Sequence, residues 1–165
     1  ITEGEMRERM VKLAIADTPY FLYSDFELRR KGNTYTAQTL SLLREEYRED
    51  TFYFIIGADS LYQIEQWFHP ELVMKLAVLL VAGRAYHDDH QPFDRQIEYL
   101  TARYGAKIYP IRCREMDVSS EEIRASVSDG HSIHGFVPDA VEEYIKDHGL
   151  YGGGVKTPVL AGKGE

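Results

Sequence analysis

The sequence predicts an α/β fold built on an open parallel sheet with helices on both faces. Three observations carry this expectation. Strand-like and helix-like segments alternate along most of the 165 residues. Two strand-like segments, 52–56 and 77–82, are continuously apolar, as strands buried on both faces require. The first of them ends abruptly in Gly57-Ala58-Asp59-Ser60, the pattern of a fully buried strand entering a tight loop and a helix start. In open α/β sheets, ligands bind at such carboxyl ends of strands.

The elements follow in order. Residues 2–17 read as a helix. Met6, Met10, Leu13 and Ala14 recur at three- and four-residue spacing, Thr2 and Glu5 have capping-box spacing, and Pro19 stops the run. Residues 20–28 are rich in aromatics and read as a strand. Gly32-Asn33 breaks the chain, and a second helix runs from Thr36 or its neighbours through Tyr47, with Leu40 and Leu43 on one face. After the strand at 52–56, Pro70 suits the first position of a helix carrying Leu72, Val73 and Leu76. The strand at 77–82 follows, then a polar loop around Asp88 to His90 and a helix over 93–104. Residues 106–111 form a third inner strand, Ser119 opens a helix reaching about Val127, and Pro138 opens a last helix that ends at Gly149. Residues 1–151 thus read as one domain. The stretch 152–165, opening Gly152-Gly153-Gly154, has no periodicity and reads as a flexible tail.

Composition narrows the function classes. The net charge of −8 argues against nucleic acid or an anionic membrane as partner, while leaving room for a local basic pocket. Cys113 is the only cysteine, so no intrachain disulfide forms, and a reducing compartment fits best. No apolar run approaches the roughly 18 residues that span a bilayer, and no signal peptide is visible, so a cytoplasmic setting is expected. The chain opens on Ile1 rather than Met, which predicts a processed, truncated or fragmentary chain.

Several residues could carry chemistry. Ser119 and Glu122 fit a capping box, the simpler reading. The same geometry offers a helix N-terminus, two hydroxyls (Ser119 and Ser120) and the Arg124 fork to phosphate oxygens. Asp59 either caps the following helix or accepts hydrogen bonds from a sugar or base, with Gly57 allowing close backbone approach. Trp67 and Phe68 are core aromatics or a stacking surface on a loop near a strand end. Arg84, just past a strand end, is a solvated side chain or an anion contact. Thr36 is an N-cap or a ligand donor. His87-Asp88-Asp89-His90 lacks a usual metal-ligand spacing, and His131 and His134 fare no better, so no metal site is expected. No Ser/His/Asp set, Walker loop or Gly-x-Gly-x-x-Gly motif is present.

Read in order, these residues resemble the bacterial nicotinate-nucleotide adenylyltransferase family. The resemblance rests on Tyr35-Thr36 with Thr39-Leu40, on Phe54-Ile55-Ile56-Gly57-Ala58-Asp59-Ser60-Leu61, on Trp67-Phe68, on Val118-Ser119-Ser120-Glu121-Glu122-Ile123-Arg124, and on Gly149-Leu150-Tyr151. It spans about residues 2–151. It implies a Rossmann-like sheet of the nucleotidylyltransferase type and transfer of AMP from ATP to nicotinate mononucleotide, with magnesium accompanying ATP. It also implies that Thr36, Trp67, Phe68 and Arg84 hold the pyridine mononucleotide. Gly57 and Asp59 would lie against the adenosine part of ATP, and Ser119, Ser120 and Arg124 would hold its phosphates.

Three departures from the family pattern matter. The family's Gly-x-Phe-Asp-Pro-x-His-x-Gly-His segment is absent: the six histidines, at 69, 87, 90, 131, 134 and 148, have other settings. The resemblance therefore implies that a first, central strand is missing, that no catalytic side chain is identified, and that this chain alone is poorly active. Glu121 stands where the family has threonine, and Phe68 where it has tyrosine. Two other readings stay open: a noncatalytic pyridine-nucleotide-binding module, and an enzyme acting on pantetheine phosphate, against which the Trp67-Phe68 pair argues. Neither the preference between acid and amide nucleotides nor the oligomeric state, a homo-oligomer included, follows from these residues.

Overall fold

The computed structural model describes residues 2–82, 93–112 and 118–152. In chain order the helices are α1 (Gly4–Ile15), α2 (Thr36–Glu46), α3 (Ala58–Gln63), α4 (Pro70–Leu76), α5 (Phe93–Tyr104), α6 (Ser120–Ser128) and α7 (Asp139–Asp147). The strands are β1 (Phe52–Gly57), β2 (Ala77–Ala82) and β3 (Ile108–Ile111), and a 3₁₀ turn covers Ile64–Gln66. Two compact units contain them: residues 26–116, and residues 1–25 with 117–165.

The 26–116 unit holds the sheet. β1 pairs with β2 in parallel from Phe52 opposite Ala77 to Gly57 opposite Ala82, and β2 pairs with β3 from Leu79 opposite Ile108 to Ala82 opposite Ile111. The order is β1-β2-β3, with α3 and α4 crossing from β1 to β2 and α5 from β2 to β3. This is the α/β architecture the alternation predicts. The core is drawn from both strands and helices: Leu61, Ile64, Val73, Leu79, Val81 and Leu100 are almost completely buried. Each such side chain contributes roughly 1.5–3 kcal/mol through removal from water.

β1 corrects the expectation of a fully buried strand. Phe52, Phe54 and Ile56 turn inward, but Tyr53 and Ile55 are each 63% exposed. Among the described residues β1 pairs only with β2, so it is an edge, whereas the central β2 is buried at four of its six positions. Residues 20–28 correct the sequence reading more sharply: 21–25 have no regular structure, 26–28 lie in a turn, no strand forms, and Leu22 is 92% exposed. Aromatic content favours a strand only where a neighbouring strand takes up the backbone N–H and C=O groups, and none does so here among the described residues.

The unit of residues 1–25 and 117–165 packs α1 against α7. Ile133, Val141 and Ile145 form its core, with Met10, Leu13, Ile123, Val127 and Leu150 packed around them. The stripe of Met10 and Leu13 read from sequence is therefore real. The predicted Thr2–Glu5 capping box is not, because Glu3 occupies the N-cap and no side chain caps α1. Both α6 and α7 end on a left-handed glycine. Gly130 (φ 77°) and Gly149 (φ 58°) let the next residue's N–H, His131 or Leu150, reach back to Ser126 O at 2.8 Å and Ile145 O at 2.9 Å. The tail residues 153–165 lie outside the described residues.

Candidate functional site

The amino end of α2 and the turn before α4 face one another across a pocket of about 310 Å³, lined by Thr34, Tyr35, Thr36, Gln66, Trp67 and Phe68. The chain reaches this arrangement in steps. Tyr35 is the N-cap of α2, and its carbonyl accepts the N–H groups of Gln38 and Thr39, each at 3.0 Å. Thr36 is therefore the first helical residue and not the cap expected of it. On the other side, the Trp67 N–H donates to Ile64 O at 3.1 Å, closing the 3₁₀ turn. His69 then takes a left-handed conformation (φ 49°), unusual for a side-chain-bearing residue, and Pro70 starts α4. The reversal presents Trp67 and Phe68 on one wall.

Two aromatic contacts hold that wall. Trp67 meets the β1 residue Phe54 edge-on, centroids 6.3 Å apart. Phe68 stacks on Tyr35, centroids 4.5 Å apart and planes 29° from parallel. Trp67 is half-buried and Phe68 exposed, so both rings hold place while keeping surface for a ligand. His69 Nδ1 lies 2.9 Å from Glu71 Oε1, and this hydrogen bond draws the Glu71 carboxyl below its ordinary value.

A second cavity of about 390 Å³ also borders Phe68 and is lined among others by Arg30, Gln38, Ser41 and Leu72. Its polar side chains already have partners. Arg30 donates to Gln38 Oε1 at 2.8 Å and to Thr39 Oγ1 at 3.0 Å, and Thr39 donates to Glu27 Oε1 at 2.6 Å. This chain of bonds ties the turn at 26–30 to α2. Sequence reasoning missed this role of Thr39, because its partners lie 9 and 12 residues away.

In the same unit, Gly57 ends β1 and Asp59 sits exposed in the first turn of α3. No side chain caps α3, so the cap reading of Asp59 is corrected. Gly57 has φ −78°, and a Cβ there would meet nothing nearer than Ala82 O at 4.0 Å. The fold itself does not require glycine at this position.

Ser119, Ser120 and Arg124 belong to the other unit, where all three are exposed. Ser119 makes the predicted capping box. Its Oγ accepts the Glu122 N–H at 3.1 Å, and its N–H donates to Glu122 Oε2 at 2.6 Å. Glu121 is exposed beside it in the first turn. Arg84 and the run from His87 to His90 lie outside the described residues. The structure thus brings together Thr36, Trp67 and Phe68 in one pocket and places Gly57 and Asp59 in the same unit.

Among the described residues, His134, Asp139 and Glu142 hold their ligand atoms within 4.8 Å of one another. They are already spent. His134 Nδ1 lies 2.8 Å from Asp139 Oδ1. The buried Glu142 accepts from Lys146 at 2.8 Å, Ser132 Oγ at 2.8 Å and the Ile133 N–H at 3.1 Å. The Lys146 and Ser132 bonds, with the Ile133 N–H, hold its carboxyl down at about 2. This cluster is a brace for the start of α7, and its donor set does not fit a resident magnesium ion. No helix among the described residues is long and apolar enough to cross a membrane.

No family model matches the chain. It is 46% identical over 151 residues to a protein named probable nicotinate-nucleotide adenylyltransferase from Lachnoclostridium phytofermentans, covering 92% of this chain and 75% of the relative. A protein of the same name from Geotalea daltonii is 36% identical over 166 residues, with 91% and 76% covered. Among solved structures, Plasmodium falciparum nicotinic acid mononucleotide adenylyltransferase complexed with NaAD superposes with a TM-score of 0.72 at 20% identity, covering 92% of this chain and 75% of that one. That likeness shows the fold.

Proposed function

The chain belongs to the nicotinate-nucleotide adenylyltransferase family, and we propose that its pocket at Thr36, Trp67 and Phe68 receives the pyridine mononucleotide. It is a nucleotidyltransferase of NAD biosynthesis, joining the adenylyl group of ATP to nicotinate mononucleotide with release of pyrophosphate. The observation that carries the pocket assignment is the meeting of residues from α2 and from the turn before α4, about thirty positions apart, around one space flanked by aromatic rings.

The reaction needs positioning and charge neutralisation, not a protein nucleophile. A phosphate oxygen of the mononucleotide attacks the α-phosphorus of ATP; the new P–O–P bond forms as the bond to the β-phosphate oxygen breaks, and pyrophosphate leaves with that electron pair. ATP enters as its magnesium complex, so the ion is part of the substrate. Thr36 donates to the mononucleotide, Trp67 and Phe68 flank its ring, and Arg84 contacts the same substrate. Gly57 lets the adenosine part approach the end of β1, and the Asp59 carboxylate accepts from a hydroxyl or base N–H. Ser120 and Arg124, with the capped end of α6, hold ATP phosphates. Of these groups Ser119 is the one whose oxygen is already engaged, so its contribution is to orient the helix end. A cytoplasmic setting suits these substrates.

A second reading, a binding module with little transfer activity, is favoured by one observation. None of the six histidines within these 165 residues sits in a Gly-x-Phe-Asp-Pro-x-His-x-Gly-His loop. Incubating the 165-residue chain with magnesium ATP and nicotinate mononucleotide, and following deamido-NAD by chromatography, separates the two. Deamido-NAD accumulating with time and with chain concentration supports the transferase reading. Binding of the mononucleotide with no product supports the binding module and overturns the transferase reading for this chain.

A further inference from the structure

We infer that Tyr35 is a positioning residue for the pyridine ring, acting through Phe68. The inference rests on the mononucleotide reading of the pocket. Tyr35 and Phe68 are both large rings that the core does not hold: they are 39% and 43% exposed. Each is instead held by the other, stacked at 4.5 Å. The Tyr35 main chain is anchored, because its carbonyl carries the first two hydrogen bonds of α2. Phe68 follows a 3₁₀ turn and precedes the left-handed His69, whose ring meets it edge-on at 4.3 Å.

Phe68 lines both cavities, of about 310 Å³ and about 390 Å³. A ring bordered by that much open space has room for more than one staggered rotamer. The stacked Tyr35 restricts the alternatives and keeps Phe68 beside Trp67, whose own ring meets Phe54 edge-on. The ligand's pyridine ring is planar and, being N-ribosylated, cationic. Fixed aromatic faces attract such a ring more strongly than a mobile one does, since ordering the ring is then not charged against binding.

The test is a double-mutant cycle on the 165-residue chain, titrated with nicotinate mononucleotide in a calorimeter. Tyr35→Ala is expected to weaken binding about five- to tenfold, the size of an aromatic pair contact. Tyr35→Phe should restore wild-type affinity, because the stacked ring remains. In a Phe68→Ala background, Tyr35→Ala should cost nothing more; Phe68→Leu serves where the alanine variant does not fold. Wild-type affinity in Tyr35→Ala, or a full further loss on top of the Phe68 change, overturns the inference while leaving the pocket assignment standing. Failure of the folded wild-type chain to bind the mononucleotide overturns that assignment, and this inference with it.

Discussion

Trp67 shows how one side chain can be structural and functional at once. Its backbone closes a 3₁₀ turn, its ring leans on Phe54 from β1, and its remaining surface faces the pocket. Replacing it by alanine should weaken mononucleotide binding about ten- to a hundredfold, the span expected for losing one base-like stack. Calorimetric titration of Trp67→Ala against Trp67→Phe checks this, with the phenylalanine variant expected to keep most of the affinity. At this scale the sequence was legible where local chemistry decides. The Ser119–Glu122 capping box was read directly from a three-residue spacing. It was illegible where backbone conformation or distant partners decide. Thr36 looked like a cap, yet the extended backbone of Tyr35 makes Tyr35 the cap. Thr39 gave no hint of bonding Glu27 and Arg30.

At the scale of elements, Gly57 and Glu142 make contrasting predictions. Gly57 has an ordinary φ and open space where a Cβ would stand, so Gly57→Ala should leave the melting midpoint within a few degrees while weakening ATP binding. Equal affinity for ATP in that variant would remove Gly57 from the site. Glu142 braces the start of α7, with Lys146, Ser132 and the Ile133 N–H on its carboxylate and the His134–Asp139 pair nearby. Its folded value of about 2 lies below the ordinary 4.5. The unfolded chain therefore binds the proton first on acidification. The stability Glu142 contributes is complete above pH 4.5 and is lost as pH falls towards 2. Melting curves between pH 6 and pH 3 should show the wild type approaching Glu142→Gln as acid is added; a constant gap contradicts the brace. Element by element, β2 begins and ends at the residues the apolar pattern marks, because burial and pattern agree there, and α5 spans the 93–104 expected of it. Residues 20–28 failed because a strand is a property of a pair of segments, and composition describes only one.

At the scale of the whole molecule, family and activity rest on 46% identity over 151 residues, and the site rests on what each unit shows by itself. The order of short motifs made the family legible, since Tyr35-Thr36, Gly57-Ala58-Asp59, Trp67-Phe68 and Ser119 to Arg124 are each weak alone. The sequence could suggest that Thr36 and Trp67 serve one ligand, but only the fold shows them lining one pocket. Trp67, the sole tryptophan, reports on that pocket without any label. The most direct test of the account follows its fluorescence while nicotinate mononucleotide is added to the 165-residue chain. The account predicts a saturable change fitting one site per chain. A folded chain, checked by circular dichroism, whose Trp67 emission does not respond to the mononucleotide at millimolar concentration would contradict it.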